Sequence, residues 1–295
     1  MTALRALLAG TVDYAGLFPP AGADMPAAVS NYAAYRADDN AWMLGRFVVP
    51  VARLGEFEDA HAALQTGDDP EWRLSALVGP DVEQDVARVR AFNAAHVGRA
   101  SVDSLEAKLP TEDAIRRAAV ATSGDAFSLF AEIPAHDDPA PLVAAIHAAG
   151  IAAKIRTGGT TADAFPPPDA VVRFIRRCIG AGVRFKATAG LHHPLRAEYP
   201  VTYDAGAPVA TMYGYLNVFL AAAFMAEGMS DADAVQLLEE RSANAFAVAS
   251  SSIGWGDFHV TAVQLRRIRT AVAVSFGSCS FREPVDELRA LGILG

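Results

Sequence analysis

Apolar and polar positions change their period repeatedly along this chain. Short apolar, β-branched runs lie at residues 10–17 (GTVDYAGL), 45–51 (GRFVVPV), 72–78 (WRLSALV), 102–109 (VDSLEAKL), 127–133 (FSLFAEI), 151–157 (IAAKIRT) and 183–189 (VRFKATA). Helical signals lie between most of them. Asp24 is placed to cap a helix over 24–38, with Pro26 in its first turn, and Thr111 to cap another. Further helices are predicted over 82–95, 139–149 and 169–181. Strands alternating with helices in this way predict parallel βα units. Seven or eight such units favour a closed (β/α)₈ barrel of the TIM type over an open sheet. No G-x-G-x-x-G fingerprint follows a strand, which weakens a dinucleotide-binding alternative.

The rhythm breaks after Leu191. Residues 191–208, with Pro194, Pro200 and Pro208, read as a long loop. Helices follow over 212–227 and 231–243, then a hairpin over 246–258 turning at 252–254, then a helix over 261–270. The eighth strand is expected at 271–275, and a closing helix at 283–291 capped by Ser280. The reading is one domain over 1–295 with an insertion at about 191–270, acting as a lid or an oligomer surface.

Side chains alternate across a strand, so each strand has two faces. One face of the last four runs is mostly apolar and suits the outer helices. The other carries Glu106 and Lys108, Glu132, Lys154 and Arg156, and Lys186 and Thr188, close to the C-terminal ends. In a barrel that face points inward, and the C-terminal mouth holds the active site. Charges so deep are costly unless paired or used. A plain ion-pair network, for example Lys108 with Glu106 or Glu132, is the structural alternative.

Composition sharpens this placement. Of 25 Lys+Arg, only Lys108, Lys154 and Lys186 are lysine, and all three fall on the predicted inner face. The formal net charge of −9 and the lack of a basic run argue against nucleic acid as a partner. Two cysteines, Cys178 and Cys279, make no disulfide framework, and no signal segment or membrane span is expected, so the cytoplasm is the expected location. Cys178 reads as core. Four inner cations (Lys108, Lys154, Arg156, Lys186) face two acids (Glu106, Glu132), a local surplus that suggests a small anionic metabolite as partner.

Lys154 and Lys186 each precede a glycine by four residues, Gly158 and Gly190, on strands expected to be neighbours about 4.8 Å apart. Two ammonium groups at that spacing repel, and burial adds to the effect, so at least one pKa is expected to fall. A neutral amine attacks carbonyl carbon. Arginine cannot replace it, because it does not deprotonate.

The segments K-I-R-T-G-G (Lys154 to Gly159) and F-K-A-T-A-G (Phe185 to Gly190) resemble the strand-6 and strand-7 signatures of deoxyribose-phosphate aldolases, class I aldolase barrels. The resemblance covers about 40 residues. It implies that Lys154 forms an imine, that Lys186 lowers its pKa, and that Glu106 assists proton transfer. Arg156 departs from the small hydroxylated residue usual there, and Gly190-Leu191-His192-His193-Pro194 replaces the glycine-rich phosphate turn. These departures, with the long insertion, leave the substrate and the reaction open. G-L-F-P-P-A (16–21), G-L-H-H-P (190–194) and F-G-S-C-S-F (276–281) resemble segments of a bacterial family without an assigned activity, which implies no function.

Other residues add candidates. His192 follows strand 7 and is placed for acid–base work, with His193 as a substrate contact. Arg156 suits a carboxylate or phosphate held bidentately. Gly158 and Gly159, and Gly277 and Ser278, lie in loops rich in backbone donors, the second before a helix N-terminus. Cys279 as a nucleophile has no supporting motif. Asp13 reaches the site or only forms a turn. The leading reading is a Schiff-base-forming carbon–carbon lyase on a small anionic carbonyl compound, with no metal and no cofactor. Two alternatives stay open: a metal-dependent barrel lyase or hydrolase using His192, His193 and a carboxylate such as Glu132 or Asp13, and a non-catalytic barrel. A homo-oligomer is compatible with each.

Overall fold

Eight parallel strands close into a barrel in the order β1-β13-β7-β6-β5-β4-β3-β2 in the computed structural model, which describes residues 1–64 and 70–294. The first seven are β1 (Val12–Tyr14), β2 (Leu44–Pro50), β3 (Trp72–Leu77), β4 (Ala100–Lys108), β5 (Ser128–Glu132), β6 (Ala152–Arg156) and β7 (Phe185–Thr188). The insertion then contributes β8 (Ala197–Pro200), β9 (Val209–Met212), β10 (Phe246–Val248), β11 (Ser252–Trp255) and β12 (Phe258–Thr261). β13 (Ala273–Ser278) closes the barrel. The expected (β/α)₈ architecture is therefore the observed one.

The helices are α1 (Ala3–Leu8), α2 (Met25–Arg36), α3 (Leu54–Ala63), α4 (Val82–Ala95), α5 (Glu112–Ala121), α6 (Ala140–Ala148), α7 (Pro168–Ala181), α8 (Tyr215–Ala226), α9 (Asp231–Glu239), α10 (Ala262–Ala271) and α11 (Arg282–Ala290). Local chemistry sets several of their ends. The Asp24 carboxylate accepts the Ala27 N–H at 2.8 Å to start α2. Thr111 does the same for α5 through Ala114. Thr261 and Gln264 form a reciprocal capping box on α10. Gly182, at φ 66°, ends α7 in the left-handed conformation that glycine adopts without penalty.

The outer faces are apolar as their alternation predicts. Ala153 and Ile155 on β6, and Phe185 and Ala187 on β7, are fully buried. Phe185 meets Phe174 of α7 edge to face, ring centroids 5.4 Å apart. α8 is apolar apart from Asn217, whose amide is hydrogen-bonded to the Leu237 and Glu240 carbonyls, and residues 215–225 are all buried. It packs against α7, α9, α10 and β13, so it takes the place of the helix that should follow β7.

Three expectations need correction. Residues 191–208 are not all loop, because β8 pairs antiparallel with β9, and this pairing delays the start of α8 to Tyr215. Pro200, which has no N–H to donate, is tolerated at the end of this ribbon. Residues 252–254 are strand and not turn: β10, β11 and β12 make a three-stranded antiparallel sheet. The eighth barrel strand runs to Ser278, three residues past its expected end. α1 and α3 carried no clear sequence signal. No helix among the described residues is long and apolar enough to cross a membrane.

Candidate active site

Strand register assembles the site. Ser275, Lys186, Lys154, Glu132 and Lys108 are successive register partners on β13, β7, β6, β5 and β4. Arg156, Thr188 and Gly277 form the next row toward the mouth. Together with Glu106, which lies two residues below Lys108 on β4, the two rows bring the expected cluster to one end of the barrel, buried at Glu106, Lys154 and Lys186 and exposed at Lys108 and Arg156.

The deep members form a continuous chain of alternating charge. Lys186 Nζ lies 2.7 Å from Asp13 Oδ2 and 2.5 Å from Glu106 Oε1. Glu106 Oε2 lies 2.7 Å from Lys154 Nζ, which also reaches Glu132 Oε2 at 2.9 Å. Hydroxyls and backbone fill the remaining lone pairs. Ser75 donates to Glu106 at 2.6 Å, Ser275 donates to Asp13 at 2.7 Å, and the Arg46 N–H donates to Asp13 at 2.8 Å. The Lys186 ammonium also stands 5.5 Å from the Phe130 ring centroid. Asp13, Glu106, Lys154 and Lys186 are all buried, so this mutual pairing and the hydrogen bonds to it offset their desolvation.

For Lys186, electrostatics run opposite to a depressed pKa. Burial pushes the Lys186 pKa down, but Asp13 and Glu106 outweigh it and the net shift is upward. Burial pushes Glu106 up, yet Lys154 and Lys186 together hold it far below the ordinary carboxylate value. Glu106 is thus a fixed anion that binds two cations, which does not suit the proton-transfer role the resemblance implied.

Above this chain opens a cavity of about 460 Å³ at the C-terminal mouth. Glu106, Lys154, Glu132, Lys108, Arg156 and Thr188 are on its wall, while Lys186 is not. Lys154 is therefore the deep lysine that a ligand can reach. Lys108 and Arg156 are exposed, and their side chains form no hydrogen bond or ion pair among the described residues. The structural alternative of Lys108 paired with a glutamate does not hold, because Lys154 occupies both carboxylates. With Asp13 included, the inner cation surplus narrows, and the unpaired positive charge sits at the mouth.

The residues expected in the two donor-rich loops divide, and Gly277 and Ser278 belong to β13 and not to a loop, because both pair with neighbouring strands. Gly159, Gly277, His192 and His193 line the cavity. Gly158 and Ser278 do not. The Phe165 ring covers Gly158, where a Cβ would come within 2.3 Å of it. The Ser278 hydroxyl is buried, donating to the Ser280 carbonyl at 2.6 Å and meeting His192 Nδ1 at 3.1 Å. Burial, helped by His193, lowers the His192 pKa to about 4. Burial therefore favours the neutral imidazole, the form that accepts a proton. His193 is held by Glu287 at 2.7 Å and stacks on Tyr199. Asp13 and Glu132 are engaged by lysines, so neither joins the histidines in a metal site.

The sequence pattern leaves Asp13 undecided and does not single out Ser75, Ser275, Tyr203 or Glu283. Ser75 and Ser275 had a readable signal: each is a hydroxyl in the middle of a mostly apolar strand, on the face that alternation turns inward. Tyr203 and Glu283 had none, since both reach the cavity by tertiary folding alone. No protein-family model matches the chain, and no match is found among curated proteins.

Proposed function

We propose that this barrel is a Schiff-base-forming carbon–carbon lyase acting on a small anionic carbonyl compound. The observation that carries the reading is the position of Lys154, a buried lysine on the cavity wall with a carboxylate on either side, Glu106 at 2.7 Å and Glu132 at 2.9 Å. Glu106 shares its charge with Lys186, which weakens its hold on Lys154. Glu132 reaches the cavity and has Lys154 as its ion-pair partner, so it is the better proton acceptor.

In this mechanism Glu132 takes a proton from the Lys154 ammonium as substrate enters. Lys154 Nζ then adds to the carbonyl carbon. Glu132 returns the proton to the carbinolamine oxygen, which leaves as water and gives the iminium. Glu132 then takes the proton of a hydroxyl on the β carbon of the substrate. The α–β carbon–carbon bond breaks as its electron pair flows into the iminium, and a carbonyl fragment leaves with an enamine remaining on Lys154. The same proton goes to the enamine carbon in the next step. Protonation of the enamine carbon and hydrolysis restore Lys154. Lys186 stays protonated and fixes Glu106. Arg156 and Lys108 hold the anionic end of the substrate, since their charges are otherwise unpaired.

The test is reductive trapping. The protein is incubated with a panel of small aldehydes and 2-keto acids, borohydride is added, and adducts are mapped by mass. A stable adduct on Lys154, absent from Lys154→Ala, supports the reading. No adduct from any member of a panel that spans carboxylated and phosphorylated carbonyl compounds counts against it.

A further inference from the structure

A second group of side chains lines the same cavity and takes no part in the lysine–carboxylate chain. His192 comes from the loop after β7, Cys279 from the residue after β13, and Glu283 from the first turn of α11. One ligand atom from each lies within 4.8 Å of the others. His192 Nδ1 is 3.6 Å from Cys279 Sγ and 3.9 Å from Glu283 Oε2. Tetrahedral zinc with ordinary bond lengths needs about 3.6 Å between nitrogen and sulfur and about 3.4 Å between nitrogen and oxygen. The observed edges match the first and exceed the second by an amount that a carboxylate rotation can close.

We infer that His192, Cys279 and Glu283 form a binding site for a divalent transition metal, with zinc the best fit, at the mouth of the barrel. The donor set decides the class of metal. One imidazole, one thiolate and one carboxylate suit zinc or cobalt, whereas magnesium and calcium prefer oxygen alone. Three protein ligands leave a fourth position free, as in zinc sites that bind water or a substrate oxygen. Here the cavity is on hand to supply that ligand. The exposed Tyr203 of the insertion donates to Glu283 Oε2 at 2.8 Å and meets Cys279 Sγ at 3.4 Å, so it orients two of the three ligands from outside. The Cys279 thiol gives up its proton as the metal binds, releasing one proton per ion. On binding, His192 Nδ1 exchanges its contact with Ser278 for the metal, while Ser278 keeps its hydrogen bond to Ser280.

The inference does not depend on the Schiff-base reading, because neither lysine is a ligand. It is tested on the full chain, stripped with chelator and titrated with Co²⁺ without oxygen. One Co²⁺ per chain should bind with a near-ultraviolet thiolate-to-cobalt charge-transfer band, and one equivalent of Zn²⁺ should remove that band. Cys279→Ser should abolish it, and His192→Gln and Glu283→Gln should each weaken affinity at least tenfold. Tyr203→Phe should weaken affinity by about tenfold and keep the band. Thermal melts of the metal-free variants establish that each is folded, and the exposed Tyr203→Phe, whose affinity should fall without loss of the band, serves if a ligand variant is not. Absence of the band in the folded wild-type protein overturns the site, as does equal affinity in wild type and all three ligand variants. Lys154→Ala should bind Co²⁺ as the wild type does, so failure of borohydride trapping and failure of metal binding are read separately.

Discussion

Lys154 and Lys186 are direct register partners on adjacent strands, yet their ammonium groups are joined instead of opposed, because the two oxygens of Glu106 bind one each. Repulsion between them is converted into two attractions. The arrangement makes Glu106 the keystone of a buried network and leaves Lys154 as the member that meets the cavity.

Glu106→Gln should therefore destabilise the fold strongly. It removes the shared anion and leaves two buried cations short of charge, a change that costs about 3–5 kcal/mol in comparable buried pairs. Urea denaturation at pH 7 measures it. A loss below about 1 kcal/mol would show that the network contributes little to stability.

The same network sets the pH limits of stability. Glu106 titrates below its ordinary 4.5 in the folded state, so the stability it contributes is present above that pH and is lost as pH falls toward the folded value. Lys186 titrates above its ordinary 10.5, so its contribution is complete below that pH and is lost as pH rises through the higher folded value. Stability measured from pH 3 to 12 should fall at both ends. The acid limb should flatten in Glu106→Gln.

Arg156 and Lys108 should separate binding from stability. Both are exposed and unpaired among the described residues, so Arg156→Gln and Lys108→Gln should change folding free energy by no more than about 0.5 kcal/mol. Loss of a charged hydrogen bond to an anionic ligand costs about 1.5–3 kcal/mol, so Kd for a carboxylated or phosphorylated carbonyl compound should rise about tenfold to a hundredfold in Arg156→Gln. Calorimetry and a thermal melt on the same variant check both halves. A neutral carbonyl compound should be unaffected.

Gly190→Ala should be costly although the side chain is small. Gly190 has φ 75°, and a Cβ there would lie 2.8 Å from the Phe165 ring and 3.2 Å from Gly158 Cα. Ala189 before it is already left-handed at φ 62°, with its carbonyl held by the Thr157 hydroxyl at 2.7 Å. A second strained residue in this turn should cost about 1–3 kcal/mol and lower the melting temperature. It should also shift His192 two residues on, which reduces metal affinity in the cobalt titration.

The barrel was legible because its signals are local. Alternation on 151–157 and 183–189 turned Lys154 and Lys186 to the same side. Helix caps at Asp24 and Thr111 marked where helices begin. The insertion was less legible, because the β8–β9 ribbon joins residues separated by a proline-containing loop, and each half taken alone carries little strand pattern.

Sequence by itself determined the period-two strands, their inward charges and the singular placement of three lysines among many arginines. Only the tertiary structure decided what those charges do. Asp13 lies 173 residues from Lys186 along the chain, and barrel closure between β1 and β13 brings it to 2.7 Å. Closure likewise turned the expected pair of repelling ammonium groups into an alternating chain of five charges. A side chain's protonation depends on every charge within a few ångströms, and strand alternation fixes a side chain's face without naming the partner across the barrel.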